Sequence, residues 1–193
     1  MSTAKILIAI PTARHIEPAT FKSIYNLELP DNCTAEFDYF STYQLDETRN
    51  LIAKKSKEFD YLFCVDSDIV LEKDSLKRLF SHNKDIVTGL YAKKNLDKIE
   101  YEIYDKINGR FKVKPIVGND LFEIHGCGFG CILLKTSVFD QIEYPYFKNT
   151  FISNEEPKSS EDLYFCRKAR VSGLQLWADP AVRCGHIGLH VYK

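Results

Sequence analysis

Asp66 and Asp68 stand one residue apart at the end of the apolar run Tyr61-Leu62-Phe63-Cys64-Val65. A short apolar run of this kind reads as a buried strand, and it delivers two carboxylates to its own carboxyl end, the edge at which open α/β sheets bind ligands. Alternation along an extended chain sends both side chains to the same side. Two carboxylates so placed suit a hard divalent cation, Mg²⁺ or Mn²⁺. D-x-D alone is common by chance, and the strand before it is what gives it weight. A second acidic pair, Glu161-Asp162, follows Ser159-Ser160. Serine ahead of two acids opens a helix, whose first-turn N–H groups and dipole would hold Asp162 ionised and so make it a weaker base. An ordinary capping cluster has the same composition.

The elements that must position these groups follow from periodicity. Strands are predicted over 5–10, stopped by Pro11, over 34–40, over 61–66 and over 85–91. Helices are predicted over 16–27 with Pro18 in the first turn, from an Asp46 N-cap to about Lys57, and over 76–80 from Asp74 or Ser75. Strict alternation of β and α over the first 90 or so residues implies a mostly parallel, doubly covered sheet. The second half differs. Segments 101–104 and 110–114 flank Asn108-Gly109, a hairpin signal, 120–124 adds a further strand, and Gly126-Cys127-Gly128-Phe129-Gly130 precedes the apolar 131–134. A helix runs from Ser160 to about Val171, closed by Gly173. The polar stretch 148–159 before it has the character of an active-site loop.

The chain has 193 residues, 45% of them hydrophobic, enough for one sizeable core and one domain. Its 26 basic and 27 acidic residues nearly cancel, which removes the footprint of a nucleic-acid binder and makes any phosphate recognition local. Six cysteines without a C-x-x-C pair argue against structural zinc, and those inside apolar patterns read as buried thiols. No apolar segment approaches a membrane span. A cytoplasmic, reducing location is expected.

Thr48-Arg49-Asn50-Leu51-Ile52-Ala53, then Phe59-Asp60 and the strand ending in Asp66-Ser67-Asp68, together resemble the nucleotide-sugar glycosyltransferases of the GT-A fold, most like the inverting family 2 type. The resemblance extends from Ile8-Ala9-Ile10-Pro11-Thr12 to Cys184-Gly185-His186 and includes small stand-alone catalytic domains of large-virus glycosyltransferases. It implies a Rossmann-like, mixed but mostly parallel sheet flanked by helices. Residues 1–95 would form the nucleotide-sugar-binding half and 96–193 the acceptor and catalytic half, with an antiparallel portion.

For function, the resemblance implies transfer of a sugar, with inversion, from a nucleoside-diphosphate sugar, UDP-sugar by default, to a hydroxyl of a glycan, glycoprotein or glycolipid. Asp68 would be the principal ligand of Mn²⁺ or Mg²⁺, with Asp66 on the ribose or the metal and His186 a third ligand. His190 would be its substitute. Asp162, beside Glu161, would take the acceptor's proton. Pro11, Thr12, Arg14, Ser41, Ser67 and Arg49 would face the nucleotide or pyrophosphate, although Arg49 also reads as a helix-surface charge. Lys93 and Lys94 would face phosphate or simply be solvated. Gly126 and Gly128 would let the acceptor approach the backbone, and His125 could meet it; a bulge at a sheet edge explains the glycines equally well. Tyr144, Tyr146 and Trp177 suit either sugar stacking or the core. The family often has an acid after the second strand, where Phe40-Ser41-Thr42 stands here, so the base is left open. The size suits a minimal enzyme or one domain of a longer multidomain glycosyltransferase. Asp66-Ser67-Asp68-Ile69-Val70 also fits the opening of haloacid-dehalogenase-like phosphatases, without their later acid pair, and a non-catalytic sugar-nucleotide binding module is a third possibility.

Overall fold

A computed structural model describes residues 3–95, 97–150, 159–188 and, as backbone, 191–192. Strands β1 (Ala4–Pro11), β2 (Cys33–Phe40) and β3 (Tyr61–Val65) are parallel, with β1 between the other two. Helices α1 (Pro18–Tyr25) and α2 (Leu45–Ser56) make the crossovers between them. Their spacing follows the apolar periodicity, with the first helix shorter than the predicted 16–27 and Pro18 at its start, where a missing N–H costs nothing.

After β3 come the short β4 (Ile69–Val70), α3 (Ser75–Ser81) and β5 (Ile86–Tyr91). β5 is buried at every position, as a central strand must be. It does not lie beside β3. The strand β10 (Cys131–Lys135) enters between them, antiparallel to both. The mostly parallel sheet therefore carries one reversed strand at its centre. Regular β/α alternation specifies which segments are strands but leaves open which later apolar run fills the gap.

Between β5 and β10 lies a small second sheet. Its strands β6 (Ile103–Ile107) and β7 (Arg110–Val113) form the hairpin signalled by Asn108-Gly109, which take φ values of 51° and 77°. β8 (Phe122–Ile124) joins the main sheet and β9 (Gly126–Cys127) pairs with β6. The chain then passes through β10 and α4 (Val138–Gln141) to α5 (Glu161–Val171). Ser160 caps α5 by accepting from Leu163 N, and Gly173 closes it at φ 85°.

The last long strand, β11 (Leu176–Ile187), is unforeseen in the periodicity because Asp179, Pro180 and Arg183 interrupt it. Its register breaks between Ala178 and Arg183, which accommodates the proline. Below the break it lies between β5 and β8; above it, it pairs with β4 and with β12 (Val191–Tyr192). The main sheet thus runs β2-β1-β3-β10-β5-β11-β12. One face packs Ile52, Ala53, Phe139 and Phe165 from α2, α4 and α5, and the other packs Ile24, Leu76 and Leu79 from α1 and α3. All six cysteines are free thiols, five of them buried. Among the described residues no helix is long and apolar enough to cross a membrane.

α2 departs from expectation at its start. Gln44, not Asp46, is the N-cap residue. Asp46 instead lies in the first turn, where its carboxylate accepts from Asn149 N at 3.0 Å. Thr48 Oγ1 reaches back to accept from Thr42 N at 3.1 Å. These bonds tie the loop after β2 and the segment after α4 to the same helical turn.

Candidate active site

Because β1, β2, β3 and β5 share one direction, the turns after them open on one edge of the sheet, and a cleft of about 320 Å³ lies there. Pro11 and Thr12 line it from the end of β1, Asp66, Ser67 and Asp68 from the turn after β3, and His186 from β11. Arg14 and Ser41 are exposed and lie outside its lining. The wall opposite the acids is the loop 42–45 with Thr48, including a fully exposed Tyr43. That wall was not foreseen, since an irregular loop has no periodicity.

The two aspartates share the cleft, but not by strand alternation. Asp66 O accepts from Ile69 N at 3.1 Å, so 66–69 is a tight turn, and the carboxylates face different partners. Asp66 Oδ1 accepts from Arg49 Nη2 at 3.0 Å. Asp68 turns the other way. Its Oδ2 lies against Lys94 Nζ and 3.5 Å from His186 Nε2. Backbone pairing explains the meeting: His186 sits opposite Ile69, and Ile187 N donates to Asp68 O at 2.8 Å.

His186 Nδ1 is 2.7 Å from Ala92 O. A carbonyl can only accept, so Nδ1 carries a proton, and the ring turns its Nε2 toward Asp68. Such an outer hydrogen bond fixes the tautomer and orientation of a metal-binding imidazole. Burial pushes the Asp68 carboxyl up, yet the His186 and Lys94 contacts outweigh it and hold it at about 2. A carboxylate oxygen beside an imidazole nitrogen is a donor pair that fits a divalent cation such as Mn²⁺. Among the described residues no three acidic, histidine or cysteine side chains converge as a complete metal centre, and Asp66 is turned to Arg49. His190 lies outside the described residues, as do positions 151–158 of the expected active-site loop.

Arg49 is not a surface charge. It is 2% exposed, and its guanidinium reaches three carboxylates. Besides Asp66, Nε donates to Glu161 Oε1 at 3.4 Å and lies 2.9 Å from Asp162 Oδ1, the latter an ionic contact off the N–H axis. Phe129, from the glycine run, lies under the guanidinium at 5.3 Å and donates its N–H to Asp162 Oδ2 at 3.2 Å. One cation thus answers three anions. Burial raises the Asp162 carboxyl; Arg49 opposes it, Glu161 and Asp66 add to it, and the net position is well above the ordinary carboxylate range. This corrects the expectation that the helix start holds Asp162 low. In a buried cluster with surplus negative charge, desolvation and like-charge repulsion exceed a dipole effect of about 1 kcal/mol.

The glycines serve the protein's own packing. A Cβ on Gly128 would stand 1.9 Å from Tyr91 Oη, and one on Gly126 would stand 2.9 Å from both Leu163 and Phe111. Both are buried. His125 pairs with Asp105 at 3.1 Å, and Lys93 lies over the Tyr104 ring. Tyr146 is in the aromatic core, while Trp177 lies under Lys84 near the start of β5, away from the cleft.

The architecture has counterparts among solved structures. The chain is similar to A197 from STIV, with a TM-score of 0.65 at 21% identity over 95% of this chain and 86% of that one. It is similar to GalNAc-T7, whose structure holds UDP, GalNAc and Mn²⁺, with a TM-score of 0.66 at 12% identity over 96% of this chain but 44% of that one. A third counterpart is S. aureus TarS 1-349, with a TM-score of 0.53, 15% identity and coverage of 92% and 60%. This chain has the GT-A fold. No protein-family model matches it, and no curated protein matches it by sequence. The reversed β10 and the small β6–β7–β9 sheet are the mixed, antiparallel part of that architecture.

Proposed function

We propose that the chain is a metal-dependent glycosyltransferase that moves a sugar from a nucleoside-diphosphate sugar, with UDP as the favoured nucleotide, to a hydroxyl of a glycan, glycoprotein or glycolipid, with inversion. The observation that carries this reading is the chain of contacts from the cleft to the start of α5. Asp66 lines the cleft, Arg49 holds it, and the same guanidinium holds Asp162. A group fit to accept a proton is thereby held at a set distance from the acids that face a diphosphate. The UDP, GalNAc and Mn²⁺ in the GalNAc-T7 structure support the same class of donor.

Asp68 and His186 would hold Mn²⁺ or Mg²⁺, leaving further positions for phosphate oxygens and water. When bound, the cation acts as a Lewis acid on the departing diphosphate. Pro11, Thr12 and Ser67 face the nucleoside, with Arg14 and Ser41 near the rim. Asp162 accepts the acceptor's proton, and Glu161 shares its guanidinium. A carboxyl raised above its ordinary range is a stronger base, provided it is ionised at the working pH.

The test has two parts. Sugar nucleotides are screened for Mn²⁺-dependent protection against thermal unfolding, since a ligand of the native state raises apparent stability. Turnover is then followed as release of nucleoside diphosphate. Asp162→Asn is expected to lower kcat by about 10²- to 10⁴-fold with donor binding retained. Release of inorganic phosphate instead would point to a phosphatase, and protection without turnover to a binding module. Undiminished transfer by Asp162→Asn would remove it as the base.

A further inference from the structure

Lys94 follows β5 closely, and its ammonium lies on Asp68 Oδ2, the oxygen that His186 Nε2 approaches at 3.5 Å. The peptide that orients this imidazole, through Ala92 O at 2.7 Å, lies two residues before it. Lys93 N donates to Glu100 O at 2.7 Å and Ala92 bridges to Tyr101, so the loop backbone is anchored while the Lys94 side chain is 41% exposed. One fixed loop therefore addresses both donors at once, the imidazole by a rigid bond and the carboxylate by a flexible stem.

We propose that Lys94 is a resident counter-ion that takes the place of a divalent cation at Asp68 and is displaced when one binds. The inference rests on the metal-dependent reading above. Arg49 is committed to Asp66, Glu161 and Asp162. Asp68, with its side chain 27% exposed, has no share in that guanidinium, and among the described residues Lys94 is the lysine paired with it. A partly buried carboxylate without a counter-charge is unfavourable. Lysine suits a replaceable partner: a point charge on a flexible stem gives up one contact easily, whereas an arginine fork holds two.

A divalent ion within reach of both Asp68 Oδ2 and Nε2 takes up the ammonium's position, and two cations cannot share it. The displaced ammonium remains beside a cleft that must receive a diphosphate, where phosphate oxygens offer a charge-assisted bond. Cation and donor then favour each other's binding, reciprocally. The lysine also orients the Asp68 carboxylate in the absence of the metal.

The decisive measurement is Mn²⁺ binding without nucleotide, followed by the paramagnetic resonance signal of the free ion. Lys94→Met is expected to bind Mn²⁺ on the order of fivefold more tightly than wild type, the scale of a partly exposed ion pair. Lys94→Arg is expected to stay at or below wild-type affinity, and His186→Ala to bind more weakly. Equal or weaker Mn²⁺ binding by Lys94→Met overturns the displacement while leaving metal-dependent transfer standing. A gain by Lys94→Arg equal to that of Lys94→Met overturns it too, because charge would not be the cause. No Mn²⁺ bound by any of the four proteins overturns the metal-dependent reading and this inference together.

Discussion

Arg49 joins the candidate base to the acids of the cleft. Its buried guanidinium faces Asp66, Glu161 and Asp162, and among the described residues its Nη1 has no hydrogen-bond partner. Removing a buried charge that compensates others leaves them unpaired, which costs about 3–5 kcal/mol. Arg49→Met is therefore expected to lower stability by that amount, read from the midpoint of urea unfolding with an unchanged slope. Asp162→Asn acts in the opposite sense. It removes a carboxyl whose charged form burial and the neighbouring acids disfavour, and is expected to leave the protein at least as stable at neutral pH, which would set a proposed catalytic group apart from one kept for the fold. Arg49 was legible only in part. Its place in the R-N pair before an apolar strand drew attention, but a charged helix residue ordinarily faces water, and nothing local shows that three acids from distant elements enclose it.

At the level of elements, α2 is held by its polar side. Asn50 Nδ2 donates to Asp46 O and Phe147 O at 2.8 and 2.7 Å, and its Oδ1 accepts from Tyr146 N and Phe147 N at 3.0 and 3.2 Å. One side chain satisfies three backbone groups of the segment before α5. Asn50→Ala is expected to cost about 2–4 kcal/mol by stranding them, measured as a loss in unfolding free energy. Leu51→Ala, at a half-exposed position, serves as the control. Elements whose signals are local were readable: the strand before Asp66, the Asn108-Gly109 turn, the Ser160 cap and Gly173. β11 was not, since Pro180 breaks its pattern and its pairing relies on a register shift. The insertion of β10 between β3 and β5 was not either, because strand order is decided by long-range packing. The same holds within the site. Asp66, Asp68 and His186 could be named from spacing and resemblance, while the turn that separates the two aspartates and the ammonium of Lys94 depend on tertiary contacts.

Across the whole molecule, two carboxyls are displaced in opposite directions. Asp68 is held at about 2, below its unfolded value of about 3.9. Its stabilising contribution is present above the unfolded value and is lost as pH falls through about 2. Asp162 is raised, so its contribution is full below the unfolded value and declines as pH rises through the folded one. Asp68→Asn is expected to flatten the acid limb of stability between about pH 4 and pH 2 in metal-free protein, as followed by circular dichroism. Asp162→Asn leaves that limb and flattens the decline above it.

The bond from Arg49 Nε to Glu161 joins residues 112 positions apart. Closing so long a loop is slow and yields nothing until both ends are in place. On the proposed function, catalytic competence and full collapse of the polypeptide should therefore arrive as one event. After dilution from denaturant, turnover would return with the latest-forming contacts rather than with early helical signal, and separated fragments 1–95 and 96–193 would each be inert until they reassociate.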